Sequence, residues 1–232
     1  MKRLIAMLVI VMASHEVLAT DRPAVVELFT SQGCSSCPPA DAFLGELAQR
    51  KDVVALAYHV SYWDYIGWKD RYSMPEAVER QKTYKTRLSL RSVYTPQMVI
   101  DGVNDLVGSD RRRAQALLST KREGVAVRLA IVGSELNIEI DQASAAIPAD
   151  ILLVAYLPKA ETPVGRGENS GRRLQEYNIV RGLEHLGAWK GQAARLTYPL
   201  ASLPADAKAV ALLLQEKNQG AILGAAQLDF TK

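Results

Sequence analysis

The two cysteines of this 232-residue chain, Cys34 and Cys37, are separated by two residues. The apolar, β-type run 24–30 precedes them, and a helical pattern of apolar residues follows. A C-x-x-C between a strand and a helix is typical of a redox-active dithiol. The amino end of the helix would offer partial positive charge and free N–H groups, which stabilise a thiolate. We therefore predict that an exposed Cys34 exchanges with disulfides and that Cys37, deeper in the helix, resolves the mixed disulfide.

Two other positions are candidates for this chemistry. Glu27 is the ionisable residue of the apolar run, and a buried carboxylate beneath the cysteines would accept the proton of Cys37. In the alternative interpretation, Glu27 points to solvent or to a polar seam. Thr95-Pro96 begins a later strand and is a candidate cis peptide, which would offer a free backbone edge to a peptide substrate.

The amino terminus predicts export. Lys2 and Arg3 precede the apolar run 4–13, and Val17-Leu18-Ala19 is typical of a cleavage site. The run is shorter than the roughly 20 apolar residues that a membrane span needs. We predict that residues 1–19 are a signal peptide, that no membrane span remains after its cleavage, and that the protein is periplasmic or secreted.

Composition limits the classes of function. The chain has 28 Lys and Arg residues against 25 Asp and Glu residues, and loss of residues 1–19 removes two of the first and one of the second. A balance so close to neutral does not predict a nucleic-acid partner. Two cysteines cannot build a multi-bridge scaffold, and two histidines beyond residue 19 are too few for a usual zinc site. We predict no cofactor and no metal.

Hydrophobic patterns divide the mature chain into two regions, 20–123 and 124–232. The first predicts an α/β domain with a parallel β-α-β unit. Its predicted elements are strand 24–30, helix 38–50, strand 53–60, helix 75–88, strand 97–100, edge strand 103–107 and helix 110–122. From Gly124 onwards, several short strands at close spacing predict a mainly β, sandwich-like domain.

The order of these elements, together with C-x-x-C and Thr95-Pro96, resembles the thioredoxin-like superfamily over about residues 22–123. More narrowly, the chain is similar to a secreted family of unknown function with a CxxCPPAD motif. Segments 27–41, 62–68 and 94–97 carry this second resemblance, which extends over the whole mature chain. The resemblance implies that Cys34 attacks, that Cys37 resolves and that Pro96 is the cis-proline. Gly33 and the Ser-Ser dipeptide depart from typical thioredoxins, so the direction of electron transfer is not predicted.

Three further segments allow more than one interpretation. The aromatic-rich segment 58–72 predicts either a substrate platform or a cover that packs on the sheet edge or between the domains. His59, Asp64 and Asp70 give only a weak metal signal, since their spacing matches no standard ligand pattern. The glycine-rich segment 165–173 lacks the ending of a phosphate-binding loop and predicts a long hairpin loop that contacts the redox domain.

We predict an exported thiol–disulfide oxidoreductase that acts on cysteine-containing proteins or small disulfides with an unidentified redox partner. A second hypothesis is a non-enzymatic binding or assembly protein in which the bridge is structural. A four-residue loop contributes only about 2 kcal/mol by chain entropy, which weighs against that role. A third hypothesis is a thioredoxin-fold protein whose two thiolates bind copper or another soft metal.

Overall fold

The structure is a computed structural model that describes residues 20–143 and 147–230. The predicted signal peptide, residues 1–19, lies outside the described residues. Over the described ranges the protein is a mixed α/β molecule in which strands dominate. No helix in this part of the chain has the length and apolar character needed to cross a membrane.

The described residues form three α-helices and thirteen strands. The helices are α1 (Pro38–Leu47), α2 (Pro75–Arg87) and α3 (Arg111–Leu118). The strands are β1 (Thr20–Asp21), β2 (Ala24–Thr30), β3 (Val53–His59), β4 (Gln97–Ile100), β5 (Asn104–Val107), β6 (Glu123–Gly124), β7 (Val127–Val132), β8 (Glu135–Ile140), β9 (Ala149–Pro163), β10 (Arg173–Trp189), β11 (Ala194–Pro199), β12 (Ala209–Glu216) and β13 (Ile222–Asp229).

The main sheet has eight strands in the order β13-β12-β9-β10-β3-β2-β4-β5. Strands β2 and β3 are parallel, with Ala24 opposite Val53, and α1 connects them. All seven residues of each strand are buried, as expected for apolar strands that are covered on both faces. The predicted β-α-β unit is thus confirmed, although α1 ends at Leu47 rather than near Arg50 because the chain tightens there into i→i+3 bonds.

Four strands of the region after residue 124 belong to the main sheet. Strand β10 pairs in parallel with β3, with Ile179 opposite Ala57, so β10, β9, β12 and β13 continue the sheet of the first region. A second layer, the sheet β11-β8-β7, packs on these strands through a shared apolar core. The predicted sandwich-like layering is therefore present, but one of its layers belongs to the main sheet.

Alternate residues of β2 face two different cores. Ala24, Val26 and Leu28 pack with α1. Val25 and Phe29 pack on the opposite face, in a core that includes Tyr84 of α2. This alternation is the ordinary period of two of a β-strand, and it decides which polar residues of β2 can lie near the cysteines.

Candidate functional site

Cys34 and Cys37 form a disulfide at the amino end of α1, with their Cα atoms 5.4 Å apart. Cys37 is the N-cap residue and Pro38 is the first residue of the helix, where a missing N–H costs no hydrogen bond. The Cys37 carbonyl accepts hydrogen bonds from the N–H groups of Ala40 (2.8 Å) and Asp41 (3.1 Å). The disulfide therefore lies at the positive end of the helix dipole, where a thiolate would be stabilised.

Both cysteines are fully buried, at 0% exposure, whereas the sequence predicted an exposed Cys34. The cover comes from the loop 164–172, which joins β9 to β10. Asn169, itself buried, donates from Nδ2 to the carbonyl of Cys34 (2.9 Å) and to that of Gln32 (3.0 Å). Glu168 Oε2 accepts from the backbone N–H of Ser35 (3.2 Å). The glycine-rich segment thus contacts the redox segment directly, as its hairpin position suggested.

The aromatic segment supplies a second side of the cover. A Cβ atom at Gly33 would lie only 3.0 Å from the Cβ of Trp63, so the backbone at Gly33 packs tightly against the Trp63 side chain. Trp63 Nε1 donates to Thr95 Oγ1 (2.7 Å), and Trp68 Nε1 donates to Gln32 Oε1 (2.9 Å). Tyr65 is different, since 81% of its surface is exposed. Packing thus accounts for the two tryptophans, while Tyr65 projects into solvent.

The structure places Thr95 and Pro96 beside the first turn of α1. The bond between them is cis, as the resemblance implied. Pro96 is buried, and its carbonyl accepts from the N–H of Gly108 (3.0 Å). A Cβ atom at Gly108 would lie 3.1 Å from the Cβ of Pro96 and 3.0 Å from that of Ala40. A glycine at position 108 therefore allows the turn that carries Pro96 to approach the helix that follows the cysteines.

Glu27 is not brought to the disulfide. It is fully buried and lies on the face of β2 opposite α1, where its Oε1 accepts from Arg80 Nε (2.5 Å) and its Oε2 accepts from the Tyr84 hydroxyl. Arg80 also donates to Gln215 Oε1 (2.9 Å). The surroundings of Glu27 are thus a buried ion pair that joins β2, α2 and β12. This position of Glu27 matches the polar seam of the alternative interpretation.

Asp41 is the carboxyl that lies on the cysteine side of the sheet. It is one helical turn after Cys37, and its Oδ1 accepts from Thr30 Oγ1 (2.7 Å) at the end of β2. Burial disfavours the charged form and raises the pKa of Asp41 to about 7, although His59 and Thr30 act in the opposite direction. Asp41 belongs to the CxxCPPAD motif, but no role was predicted for it from the sequence. Its i, i+4 spacing from Cys37 is the signal that would have found it.

Buried polar side chains continue from Asp41 into the molecule. His59 Nδ1 lies 2.8 Å from Asp70 Oδ2, and His59 Nε2 lies 3.9 Å from Glu176 Oε1. Gln32 joins the two acids, because its backbone N–H donates to Asp70 Oδ2 (2.8 Å) and its Nε2 donates to Glu176 Oε1 (2.8 Å). Thr162 Oγ1 donates to Glu176 Oε2 (2.6 Å). These residues connect β3, the aromatic segment and the β9–β10 hairpin beneath the disulfide.

Burial and the neighbouring charges together set the pKa of each ionisable group in this cluster. Burial would lower the pKa of His59, but Asp70 and Glu176 raise it to about 9, so the imidazole is charged at neutral pH. Burial would raise the pKa of Asp70, but His59 holds it below its ordinary value. For Glu176 burial prevails over His59, and its pKa is raised. One buried cation thus faces three carboxyl groups. For Asp41, burial outweighs the attraction of this cation, so its pKa stays raised.

The structure gives no support for a metal centre at these residues. Within residues 20–143 and 147–230, no group of three or more His, Cys, Asp or Glu side chains is placed to hold a metal ion. His59 and Asp70 use each other as partners, and the Oδ1 atom of Asp64 accepts from the backbone N–H of Asp70 (3.1 Å). The weak metal signal of this segment is therefore explained by hydrogen bonding.

Comparison with known proteins places the chain in a family. A crystal structure of an Agrobacterium tumefaciens protein from the Northeast Structural Genomics Consortium is 31% identical, with 91% of this chain and 96% of that one covered and a TM-score of 0.80. HBP35 of Porphyromonas gingivalis shares the fold at 12% identity, with 91% and 76% covered and a TM-score of 0.60. A search of curated proteins found no significant match. Residues 25–215 match the family described as "Protein of unknown function (DUF1223)", and the chain belongs to that family.

Proposed function

We propose that this protein is an exported thiol–disulfide oxidoreductase whose Cys34–Cys37 pair cycles between disulfide and dithiol. The observation that carries the proposal is the position of the disulfide at the amino end of α1, where the helix favours a thiolate. Export rests on the predicted signal peptide. Its substrates would be cysteine-containing proteins or small disulfides.

The arrangement of residues 20–123 supports a thioredoxin-like unit as the scaffold of this site. The parallel β2-α1-β3 unit, the antiparallel strands β4 and β5 and the final helix α3 follow the order expected of that fold. The cysteines stand between β2 and α1, and Pro96 stands at the start of β4 next to α1. These positions match the roles that the resemblance implied for Cys34, Cys37 and Pro96.

Each half of the proposed cycle is a thiol–disulfide exchange, with the substrate in one half and a redox partner that restores the pair in the other. A substrate thiolate attacks Cys34 Sγ, the Cys34–Cys37 bond breaks, and Cys37 leaves as a thiolate that takes up a proton. A second substrate thiolate then attacks the substrate sulfur of the mixed disulfide, and Cys34 leaves. The substrate loses two electrons and the pair gains them. The reverse sequence reduces a substrate disulfide.

Burial of the disulfide favours a second candidate, a structural bridge in a binding protein. Neither cysteine is exposed, and the loop 164–172 must move before a protein substrate can reach Cys34. Cellular thiols would not reduce a structural bridge of this kind. A catalytic disulfide has a higher reduction potential, so glutathione buffers can reduce it and oxidise it again.

The reduction potential separates the two candidates. The protein is equilibrated with glutathione buffers and its thiols are counted by alkylation. A value between about −120 and −270 mV supports the oxidoreductase, and a value below about −300 mV supports the structural bridge. Cys37→Ser and Cys34→Ser form the matched pair of variants. We expect the first to accumulate a mixed disulfide with glutathione at Cys34 and the second to accumulate none at Cys37.

A further inference from the structure

We propose that Asp41 accepts the proton of the Cys37 thiol when the dithiol is oxidised and returns it when the disulfide is reduced. This inference rests on the proposed oxidoreductase function and assigns to that site a proton acceptor on the helix. In this proposal Asp41 on the helix takes the role that the sequence predicted for Glu27 on the strand.

The geometry of the first turn of α1 supports this role. The Asp41 N–H donates to the Cys37 carbonyl (3.1 Å), so the two residues are one helical turn apart and project from the same face. Residues at this spacing have Cβ atoms about 5–6 Å apart. Cys37 is fully buried, which leaves a thiol there with few routes by which to lose its proton. Asp41 is partly exposed and connects that interior to solvent.

Glu27 has neither property. Its carboxylate faces α2, on the opposite side of β2 from α1, and the guanidinium of Arg80 neutralises it. The neighbouring Tyr84 hydroxyl adds a further hydrogen bond. The intervening strand therefore separates this carboxylate from Cys37.

The groups that face Asp41 come from four elements. Thr30 of β2 donates a hydrogen bond to it. His59 at the end of β3 lowers its pKa, while Glu176 of β10 and Asp70 of the aromatic segment raise it. Their net effect, with burial, places its pKa at about 7. A carboxyl that is half protonated near neutral pH can both take a proton from a thiol and release it.

The proposed step conserves both electrons and protons. Cys34 as a thiolate attacks a substrate disulfide, and one substrate sulfur leaves as a thiolate. Cys37 then gives its proton to the Asp41 carboxylate and attacks Cys34 Sγ, so that the Cys34–Cys37 bond forms and the second substrate sulfur leaves. The substrate disulfide is reduced to a dithiol and the protein pair is oxidised. The proton on Asp41 passes to a leaving thiolate or to solvent.

The first test follows the Asp41 carboxyl carbon by NMR between pH 4 and pH 9, in the disulfide form and in the form reduced by a phosphine. If Asp41 and the Cys37 thiol share a proton, we expect the Asp41 midpoint to move by about half a pH unit or more on reduction. Identical curves in the two forms overturn the inference. This measurement needs no substrate, so it decides the proton linkage even if the protein proves inactive in exchange.

The second test follows the resolution of a mixed disulfide between Cys34 and glutathione in the wild type and in Asp41→Asn. Because a positioned proton acceptor contributes about 10²-fold or more, we expect the variant to resolve about 10²-fold more slowly at pH 7 and to lose the inflection near pH 7. Glu46→Gln, an exposed acid on the same helix, is the control and should keep the wild-type rate.

An Asp41→Asn variant with the wild-type rate and pH profile contradicts the inference and leaves the oxidoreductase proposal standing. Failure of the wild-type protein to form a mixed disulfide with glutathione contradicts the oxidoreductase proposal instead. If the variant does not fold, the titration of wild-type Asp41 in the two redox forms remains as the deciding measurement.

Discussion

Two acids on opposite sides of β2, the fully buried Glu27 and the partly exposed Asp41, show how neighbouring side chains decide what a carboxyl can do. Glu27 has Arg80 as a partner at 2.5 Å and is neutralised by it. Asp41 accepts a hydrogen bond from the Thr30 hydroxyl and shares the distant imidazole of His59 with two other acids. Together with burial, this arrangement favours an exchangeable proton on Asp41.

Replacement of Glu27 tests the structural role of its ion pair. In Glu27→Gln the Arg80 guanidinium remains buried without a counter-charge, so we expect the free energy of unfolding to fall by about 3–5 kcal/mol. Urea unfolding at pH 7 measures this. Glu79→Gln, which breaks an exposed pair with Lys82, is the control and should cost no more than about 1 kcal/mol. Equal small losses in the two variants would show that the buried pair contributes no more than the exposed one.

Replacement of Asp41 should change how stability depends on pH. The folded pKa of about 7 exceeds the ordinary 3.8, so the native carboxyl binds its proton more tightly than the unfolded one. Its contribution to stability is complete below pH 4 and is lost as the pH rises to 7. One pKa unit corresponds to about 1.4 kcal/mol. We therefore expect the free energy of unfolding of Asp41→Asn, relative to that of the wild type, to increase by about 2–4 kcal/mol between pH 4 and pH 8.

Urea unfolding of both proteins at several pH values measures that difference. The pKa of His59 is raised to about 9, in part by Asp41, so its own contribution is complete below pH 6.5 and falls as the pH rises to 9. The two proteins are therefore compared most directly between pH 4 and pH 6.5. A difference between the two proteins that does not change with pH would mean that the Asp41 carboxyl titrates normally in the folded state.

At the scale of elements, the loop 164–172 controls access to the disulfide. Asn169 holds it through two hydrogen bonds to the carbonyls of Gln32 and Cys34, each of which contributes about 1 kcal/mol. Asn169→Ala should therefore open the loop more often and speed reduction of the disulfide by dithiothreitol about 10- to 30-fold.

The rate of reduction is followed by alkylation of the released thiols. Ser170→Ala is the control, because the Ser170 hydroxyl donates to Gly165 within the same loop and does not touch the cysteine segment. If Asn169→Ala is reduced at the wild-type rate, opening of this loop does not limit access to Cys34.

The sequence predicted the elements best where local patterns are strong. The runs 24–30 and 97–100 are strands with those bounds, because β-type apolar residues fill them and polar turns flank them. The polar segment 158–163, for which no strand was predicted, continues β9. Its polar residues Lys159 and Glu161 form a solvated face that pairs with β10. That extension is what brings Glu176 and Thr162 to the site.

The parts of the site that the sequence did not predict depend on contacts between distant residues. Cys34, Cys37, Thr95 and Pro96 could be identified because each belongs to a short motif. The cover by Asn169 joins residues 135 positions apart, and the Gln32–Glu176 bond joins residues 144 apart. No local sequence pattern predicts such pairs or the parallel pairing between β10 and β3.

At the scale of the whole molecule, that pairing makes one structural unit of two regions. The core around Val54, Leu56 and Tyr58 of β3 also contains Val154, Val180 and Leu213, which come from beyond residue 124. Separation of the regions would expose this apolar surface and leave β3, all of whose residues are buried, as an open sheet edge. The two regions therefore stabilise each other.

This mutual dependence predicts that the chain from residue 20 onwards unfolds in a single transition. Differential scanning calorimetry of the oxidised protein should show one peak whose calorimetric and van't Hoff enthalpies agree, because neither region keeps its core when the other is lost. The fluorescence of Trp63 and Trp68 reports the first region and that of Trp189 the second, so Trp189→Phe provides a probe of the first region alone. Its midpoint by fluorescence should coincide with the calorimetric midpoint of the same variant. Two resolved peaks, or a fluorescence midpoint that precedes the main peak, would show that residues 20–123 unfold independently and that β10 is only docked against β3.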